Sequence, residues 1–454
     1  MSESMISEVP ADAPANLPEN LERLSELALD EARKNGATQA EVGVSSESGL
    51  SVSVRLGDVE TIEHNRDKGM SITVYMGQRK GASSTSDFSE GAIAQSVRAA
   101  CDIARYTEED DCAGLADAEL MATDIPDLDL MHAWDVSAEQ AIEIASECES
   151  AARDYDEAIS NSEGATVSSH SGTSVYANSH GFCANVDSSR HSLSCSVIAG
   201  EGDSMQRDYW YSVARNSEDL DSAEAVGQRA AQRTVRRLGA RTVTTGTYPV
   251  LFSPEMSRSL INALIGAISG GALYRKTSFL LDRKGEQIFA PIVNISESPL
   301  LPRELGSSAF DAEGVARRNR NLVSEGVLQD YVLSSYSSRK LGLVTTGNAG
   351  GVRNVIVQPG ENSPQDMLKQ MDRGFLVTEM MGSGANLTTG DYSRGAAGFW
   401  VENGEIVHPV EEVTVAGNLL DMFQRIEALG NDVDKQGNIH TGSVLVGSMT
   451  VAGG

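Results

Sequence analysis

One order of elements, helix then strands then helix, occurs twice in the first half of this chain, and that repetition constrains its fold more than any other feature. Leu17, Leu21, Leu24, Ala28 and Ala32 recur at helical spacing, and Gly36 follows as a stop signal. Apolar residues then alternate with period two. Ala40, Val42 and Val44 make one run, Leu50, Val52, Val54 and Leu56 a second, and Met70, Ile72, Val74 and Met76 a third, with a turn at Gly57-Asp58. Asp87 and Glu90 form a capping-box pattern ahead of Ile93, Val97, Ala100 and Ala104. Residues 17–106 therefore read as helix, about four strands, helix.

The order returns over residues 137–239. Ser137 and Gln140 cap a helix carrying Ala141, Ile144, Cys148 and Ala151. Strands follow around "GATVSSH", "SVYANSHGFCANV" and "HSLSCSVIAG", with "NSHG" as a hairpin turn. Asp221 and Glu224 then cap a closing helix with Ala225, Ala230, Thr234 and Leu238. The two stretches share an architecture without obvious sequence identity. An acidic linker, roughly 107–134, separates them.

A new region begins within Thr242–Thr247. It holds a helix around Leu260, a strand near Ile288–Ile295, a hairpin turned at Ser324–Gly326, and strands at Val352–Val357, Phe375–Met380, Ala397–Val401 and Val444–Val451. Helices are expected over Pro364–Met371 and Leu419–Ala428, and "VENGEIV" signals a hairpin. Strands and helices do not alternate as strict βαβ units, so the class is α+β. The expected layout is a lead-in at 1–16, a duplicated N-terminal α+β domain at 17–241 with sub-repeats 17–106 and 137–239, and a strand-rich α+β C-terminal domain at 242–454.

The charge of −29 repels phosphate backbones and anionic membrane surfaces, so neither nucleic acid nor membrane is an expected partner. No apolar run approaches a membrane span. The acidic start, with Pro10, Pro14 and Pro18, lacks the basic and apolar parts of a signal peptide and is expected to be disordered. Five cysteines without a CxxC pattern favour a reducing compartment, and the expected location is cytoplasmic.

Chemistry is sparse. None of the seven histidines stands at metal-ligand spacing from another, and HExxH, GxSxG, P-loop and GxGxxG patterns are absent. His170, His180 and His191 share one hairpin region, where a surface or turn role competes with convergence. The glycine-rich stretch Met380–Ile406 carries Asp391, Tyr392, Ser393 and Arg394. It reads either as a bulged strand at a barrel corner or as a cleft wall accepting an extended peptide by strand addition. In "TTGNAGGVRNVIVQPGE", Arg353 and Asn354 open a strand, and Arg353 suits a carboxylate, a peptide carbonyl or a plain salt bridge. Arg229, Arg233, Arg236, Arg237 and Arg241, and Arg317, Arg318 and Arg320, read either as partner-contact patches or as faces with local ion pairs.

The segments "TSDFSEGAIAQSVRAACDIA", "LFSPEMSRSLINALIGAISGGALYRKTSFL", "GSSAFDAEGVARRNRNLVSEGVLQDYVL", "TTGNAGGVRN" and "GSGANLTTGDYSRGAAGFWVENGEI", in this order, resemble the TldD/PmbA family, and most closely its PmbA (TldE) branch. The resemblance covers nearly the whole chain. It implies an α+β fold and a cytoplasmic metallopeptidase acting on unfolded or short peptides; the family also carries the label modulator of DNA gyrase. It further implies a TldD-like partner that holds zinc through an HExxxH helix and a late cysteine. Set against that helix, "LINALIGAISGG" places Asn262 and Ala263 where the His-Glu pair would stand and Ala267 where the second His would stand. Alanine has no donor and an Asn amide is a poor zinc ligand, so no zinc is expected in this chain. Leu260, Leu264, Ala267 and Ile268 instead form an apolar stripe, ahead of a Gly-Gly turn and a basic loop.

The leading expectation is thus a subunit that is not catalytic by itself, contacts peptide through Arg353, Asn354, Asp391, Tyr392, Ser393 and Arg394, pairs with a TldD-like protein, and forms a homodimer when isolated. The alternatives are an independent hydrolase using groups such as His170, His180 or His408, and a non-catalytic peptide-binding module.

Overall fold

The computed structural model describes residues 17–453, and the expected disordered lead-in at 1–16 lies outside them. The class is α+β. The first repeat comprises α1 (Leu17–Lys34), β1 (Gln39–Arg55), β2 (Asp58–Met76), β3 (Arg79–Thr85) and α2 (Glu90–Tyr106). The second comprises α3 (Ala138–Arg153), β4 (Ile159–Asn178), β5 (Cys183–Ala199), β6 (Gln206–Ala214) and α4 (Ala223–Val235). Each has three strands, where the first was expected to have about four. The runs 40–44 and 50–56 are one strand because all their inward residues are even-numbered: the alternation never changes phase, so "SSESG" between them continues the strand instead of turning it. The strands lie in the order β3-β2-β1-β4-β5-β6.

By its contacts the chain divides into two compact units. The first takes residues through Ser48, Arg66–Leu115 and Gly172–Asp187; the second takes Gly49–Asn65, Ala116–Ser171 and Ser188 onward. The first unit's core joins Leu21, Leu24, Ala28 and Ala32 of α1 to Ile93, Val97 and Ala104 of α2 and to Val42, Ile72 and Val74. A Cβ on Gly81 would stand 2.0 Å from the Ala100 carbonyl oxygen, so only glycine lets β3 lie this close to α2. The cap of α2 is Ser89, whose Oγ accepts from the Ala92 N–H, whereas Asp87 accepts from the Ser89 N–H. A shorter side chain two residues further on thus does the capping expected of Asp87.

In the second unit the expected capping box at Ser137 and Gln140 is present in both directions. Ala141, Ala145, Cys148 and Ala152 of α3 pack with Val226, Ala230 and Ala231 of α4. The cap of α4 is Ser222, not Asp221. Beyond it come β7 (Gly246–Phe252), α5 (Pro254–Ala267), α6 (Gly270–Tyr274), β8 (Ile295–Glu297), β9 (Arg320–Ser324), β10 (Val327–Leu328), α7 (Ser335–Leu341), β11 (Val355–Val357) and α8 (Pro364–Met371). The chain ends with β12 (Gly374–Met381), β13 (Asp391–Glu402), β14 (Glu405–Asn418), α9 (Leu419–Gln424), β15 (Ile426–Leu429), β16 (Ile439–His440) and β17 (Val444–Ala452).

The larger C-terminal sheet runs β14-β13-β12-β7-β17-β15, and β14 also pairs with β17 through Thr414–Ala416. Five strands therefore close into a ring, which leaves none of those five as a free sheet edge along its paired length. A smaller sheet runs β10-β9-β8-β11-β16. The helix expected over 419–428 stops at Gln424, because Ile426–Leu429 pairs with β17. The strand expected at 288–295 is displaced to Ile295–Glu297, where β9 and β11 flank it.

Candidate functional site

Helix α5 enters the second unit's core directly after β7. Pro254 opens it at a position that needs no N–H. Its expected stripe of Leu260, Leu264, Ala267 and Ile268 is buried, as are Ile261 and Ala263. Asn262 alone of the three sister-helix positions is exposed. Ala263 and Ala267 face the core with methyl groups, which have no lone pair to offer a cation. Among the described residues no group of three or more His, Cys, Asp or Glu is arranged to hold a metal ion. The expected Gly-Gly turn is instead the start of α6. Ser269 caps that helix by accepting from the Ala272 N–H, and a Cβ on Gly270 would lie 2.2 Å from Ser337 Oγ.

The outer side of α5 meets the start of β13. Gly266 lies under Leu387, whose Cδ1 would be 2.8 Å from a Cβ there. Ser259 Oγ and Tyr392 Oη both approach the Met380 sulfur, at 4.0 and 3.0 Å. Tyr392 is buried, and burial pushes its phenol up from the ordinary value. Strand alternation puts Asp391 and Ser393 on the exposed face and leaves Arg394 half-buried, with its Nε enclosed and without a hydrogen-bond partner. Asp391 accepts from Thr389 Oγ1 at 2.7 Å.

Both edges of β13 are occupied. β14 pairs along its whole length, β12 pairs from Gly395 to Val401, and the loop before it covers the rest through Ser393 N–H to the Gly384 carbonyl and an Ala385–Tyr392 bridge. Strand addition by a peptide at β13, one of the two readings of its glycines, is therefore blocked. The bulged barrel strand is what forms, with register shifts between Ala396 and Gly398 and between Trp400 and Val401.

Arg353 and Asn354 lie elsewhere in the same unit. Asn354 is fully buried at φ 42°, and its amide donates to the Ser298 carbonyl at 3.0 Å and Ser307 Oγ at 2.7 Å. The Arg353 guanidinium donates to the Val352 carbonyl at 3.2 Å, and its backbone N–H donates to Glu297 at 2.7 Å. Asn354 and Tyr392 thus hold structure in place, while Asp391, Ser393, Arg394 and Arg353 keep surface.

Glu297, not singled out from sequence, is the hub of a buried polar network. It accepts from Arg320 Nε at 2.7 Å and from Asn348 Nδ2 at 2.8 and 3.1 Å, and Arg317 stands 3.7 Å away. Arg317 also donates to the carbonyls of Phe310, Gly351 and Ala349. Burial pulls the Arg317 guanidinium down to about 10 and pushes nearby Asp311 up to about 6, although three backbone N–H groups oppose the latter shift. Arg317 and Arg320 therefore organise the interior and are no partner-contact patch. On α4, Arg233 pairs with Asp208 at 3.4 Å and Glu255 at 3.1 Å, Arg237 pairs with Glu379, and Arg229 stacks on Trp210 at 3.7 Å. These side chains likewise have intramolecular partners.

Among the described residues one histidine, His191, meets a serine hydroxyl, and both of its ring nitrogens are taken up within the fold. His191 is buried, with Ser169 Oγ 3.0 Å from Nδ1 and the His132 carbonyl 2.8 Å from Nε2, so both nitrogens are engaged in tying strands together. Burial lowers its pKa. His170 lies over Gly49, and His408 Nδ1 contacts its neighbour's carbonyl at Pro409.

Solved structures share this fold. A Bacteroides thetaiotaomicron protein named as a modulator of DNA gyrase superposes with TM-score 0.90 at 30% identity, over 95% of this chain and 98% of that one. TldE from Thermococcus kodakarensis superposes with TM-score 0.81 at 19% identity, over 95% and 100%. The architecture is thus that of a TldE-like protein. Family models for the PmbA/TldA metallopeptidase domain 1, central domain and C-terminal domain match residues 40–104, 132–238 and 245–453. The chain is 49% identical to the metalloprotease PmbA of Escherichia coli O157:H7 over 94% of each, and 48% identical to the PmbA homologue of Haemophilus influenzae over 96% of each. The chain belongs to the PmbA/TldD metallopeptidase family. Among the described residues no helix is long and apolar enough to cross a membrane.

Proposed function

We propose that this chain is the zinc-free subunit of a two-protein cytoplasmic peptidase, in which a TldD-like partner carries the metal and cleaves unfolded or short peptides. The observation that carries the reading is the donor set of α5. At the three positions matched to the sister's zinc helix it has one exposed Asn amide and two buried methyl groups, and an alanine can neither bind zinc nor take a proton from a bound water. The family membership supports a TldD-like partner, and a relative from Saccharolobus solfataricus is named a zinc metalloprotease TldD homologue. In this reading Asp391, Ser393, Arg394 and Arg353 contact peptide by their side chains, while Tyr392 and Asn354 hold those segments in place.

The test is metal analysis and peptide cleavage with the chain alone, the partner alone and the two mixed. Zinc confined to the partner, co-elution, and cleavage raised by mixing are the expected results. Stoichiometric zinc on this chain, or turnover by it alone that survives a chelator, refutes the proposal.

A further inference from the structure

Aspartate and glutamate account for 65 of the 454 residues, yet none occurs at 256–281, 331–360 or 380–390. The fold packs these three stretches, distant in sequence, against one another within the second unit. Gly270 N–H donates to the Val332 carbonyl at 2.8 Å and Val332 N–H to the Ile268 carbonyl at 3.0 Å, which ties α6 to the segment leading into α7. Phe279 N–H donates to the Leu387 carbonyl at 2.8 Å. Tyr274 of α6 meets Tyr336 of α7 edge to face, with ring centroids 5.9 Å apart. In a chain of net charge −29, α6 and α7 thus share a face that carries cations and no carboxylate of its own.

The cations of α6, α7 and the loop after α6 are Arg275, Lys276, Arg339 and Lys340. Asp117 reaches in from outside and pairs with Arg339 at 3.0 Å, and Lys340 lies over the Tyr336 ring at 5.3 Å. Arg275 and Lys276 are exposed, and among the described residues neither forms an ion pair; the Arg275 guanidinium donates to the Tyr274 hydroxyl at 3.0 Å. Carboxylates that bound the three stretches are engaged elsewhere: Glu255 with Arg233, Asp330 with Lys284 and Glu379 with Arg237. Just past Lys340, after the left-handed Gly342 that caps α7, Leu343 and Val344 are 46% and 71% exposed. A face with two unpaired cations and two exposed aliphatic side chains suits a ligand that carries both carboxylates and apolar groups, as a peptide does. A nucleic acid suits it less, because its charge continues along its whole length and would run off this face onto an acidic surface. A few carboxylates feel mainly the charges within a Debye length of about 10 Å.

We propose that the α6–α7 face binds an extended acidic peptide segment, Arg275 and Lys276 meeting its carboxylates and Leu343 and Val344 its apolar side chains. The binding is a property of this chain alone; that such segments are the substrate class of the two-protein peptidase rests on the reading given above. The experiment is fluorescence anisotropy of the full chain with a labelled glutamate-rich peptide containing leucine. The same peptide with Gln for every Glu, and a single-stranded oligonucleotide of equal charge, are the comparisons. Wild type should bind the glutamate peptide about tenfold more tightly than the glutamine peptide, and raising salt from about 50 to 200 mM should erase much of that difference. Arg275→Glu combined with Lys276→Glu should remove the preference without changing circular dichroism or the urea midpoint. Lys369→Glu, at an exposed lysine on α8, should keep it. Equal affinity for the two peptides, a preference that survives the double reversal, or tighter binding of the oligonucleotide overturns the proposal. Displacement of the peptide by a TldD-like partner overturns it too, since the face would then be the partner's seat. In the mixed peptidase the glutamate peptide should have the lower KM at similar kcat, and equal KM values overturn the substrate assignment. Binding by this chain with no cleavage by the mixture would refute the peptidase reading and uphold the binding face.

Discussion

Replacing Glu297 with glutamine should destabilise the second unit far more than its size suggests. The carboxylate is 2% exposed and takes donors on both oxygens: Arg353 N–H and Asn348 on one, Arg320 and Asn348 on the other. A glutamine keeps the shape but must turn its NH2 toward one of these sets, so donor meets donor whichever way it lies. It also removes the negative charge beside two buried guanidinium groups. Each frustrated charge-assisted bond costs about 1.5–3 kcal/mol, and breaking a buried pair by removing one charge costs about 3–5 kcal/mol; Glu297→Gln should therefore cost about 3–5 kcal/mol. Urea unfolding followed by tryptophan fluorescence reads this as a lower midpoint, against Glu405→Gln, an exposed carboxylate, as control. A loss below about 1 kcal/mol would refute the view that this network is held by the carboxylate's charge.

Three further outcomes are expected. His191 has its pKa lowered by burial, so its neutral form belongs to the folded state. Its contribution is complete above the ordinary imidazole value and is lost as pH falls through the folded one; His191→Gln should flatten stability against pH on the acid side of neutrality, and parallel curves for the two proteins would contradict this. Gly398→Ala should cost about 3 kcal/mol or more in urea unfolding, since its Cβ would stand 1.9 Å from the Leu376 carbonyl oxygen inside the closed ring; an unchanged midpoint would show that the ring is not packed this tightly. Arg394→Ala should raise the KM of the proposed two-protein peptidase about tenfold with little change in midpoint, because the half-buried side chain keeps surface next to exposed Ser393; a lowered midpoint with unchanged KM would make it a structural residue.

What the sequence determined by itself is local. The unbroken even-numbered phase of β1, the capping box at Ser137 and Gln140, Pro364 opening α8, and the Asn403-Gly404 turn each follow from residues within one or two turns of chain, where steric and hydrogen-bond preferences act without help. That Ala263 and Ala267 of α5 offer no donor is legible the same way, because an alanine side chain lacks lone pairs in any fold. Tertiary structure decided the rest. Ile426–Leu429 has the apolar content to extend α9 and becomes β15 because β17, distant in sequence, supplies its hydrogen bonds. Pairing of β13 with β14 on one side and β12 on the other removed the edge that its glycines advertised. Arg317 and Arg320 look like surface charge and are buried, since only the assembled unit brings Glu297 and a set of carbonyl oxygens to them. A charge's environment is the sum of distant segments, and no short window of sequence contains it.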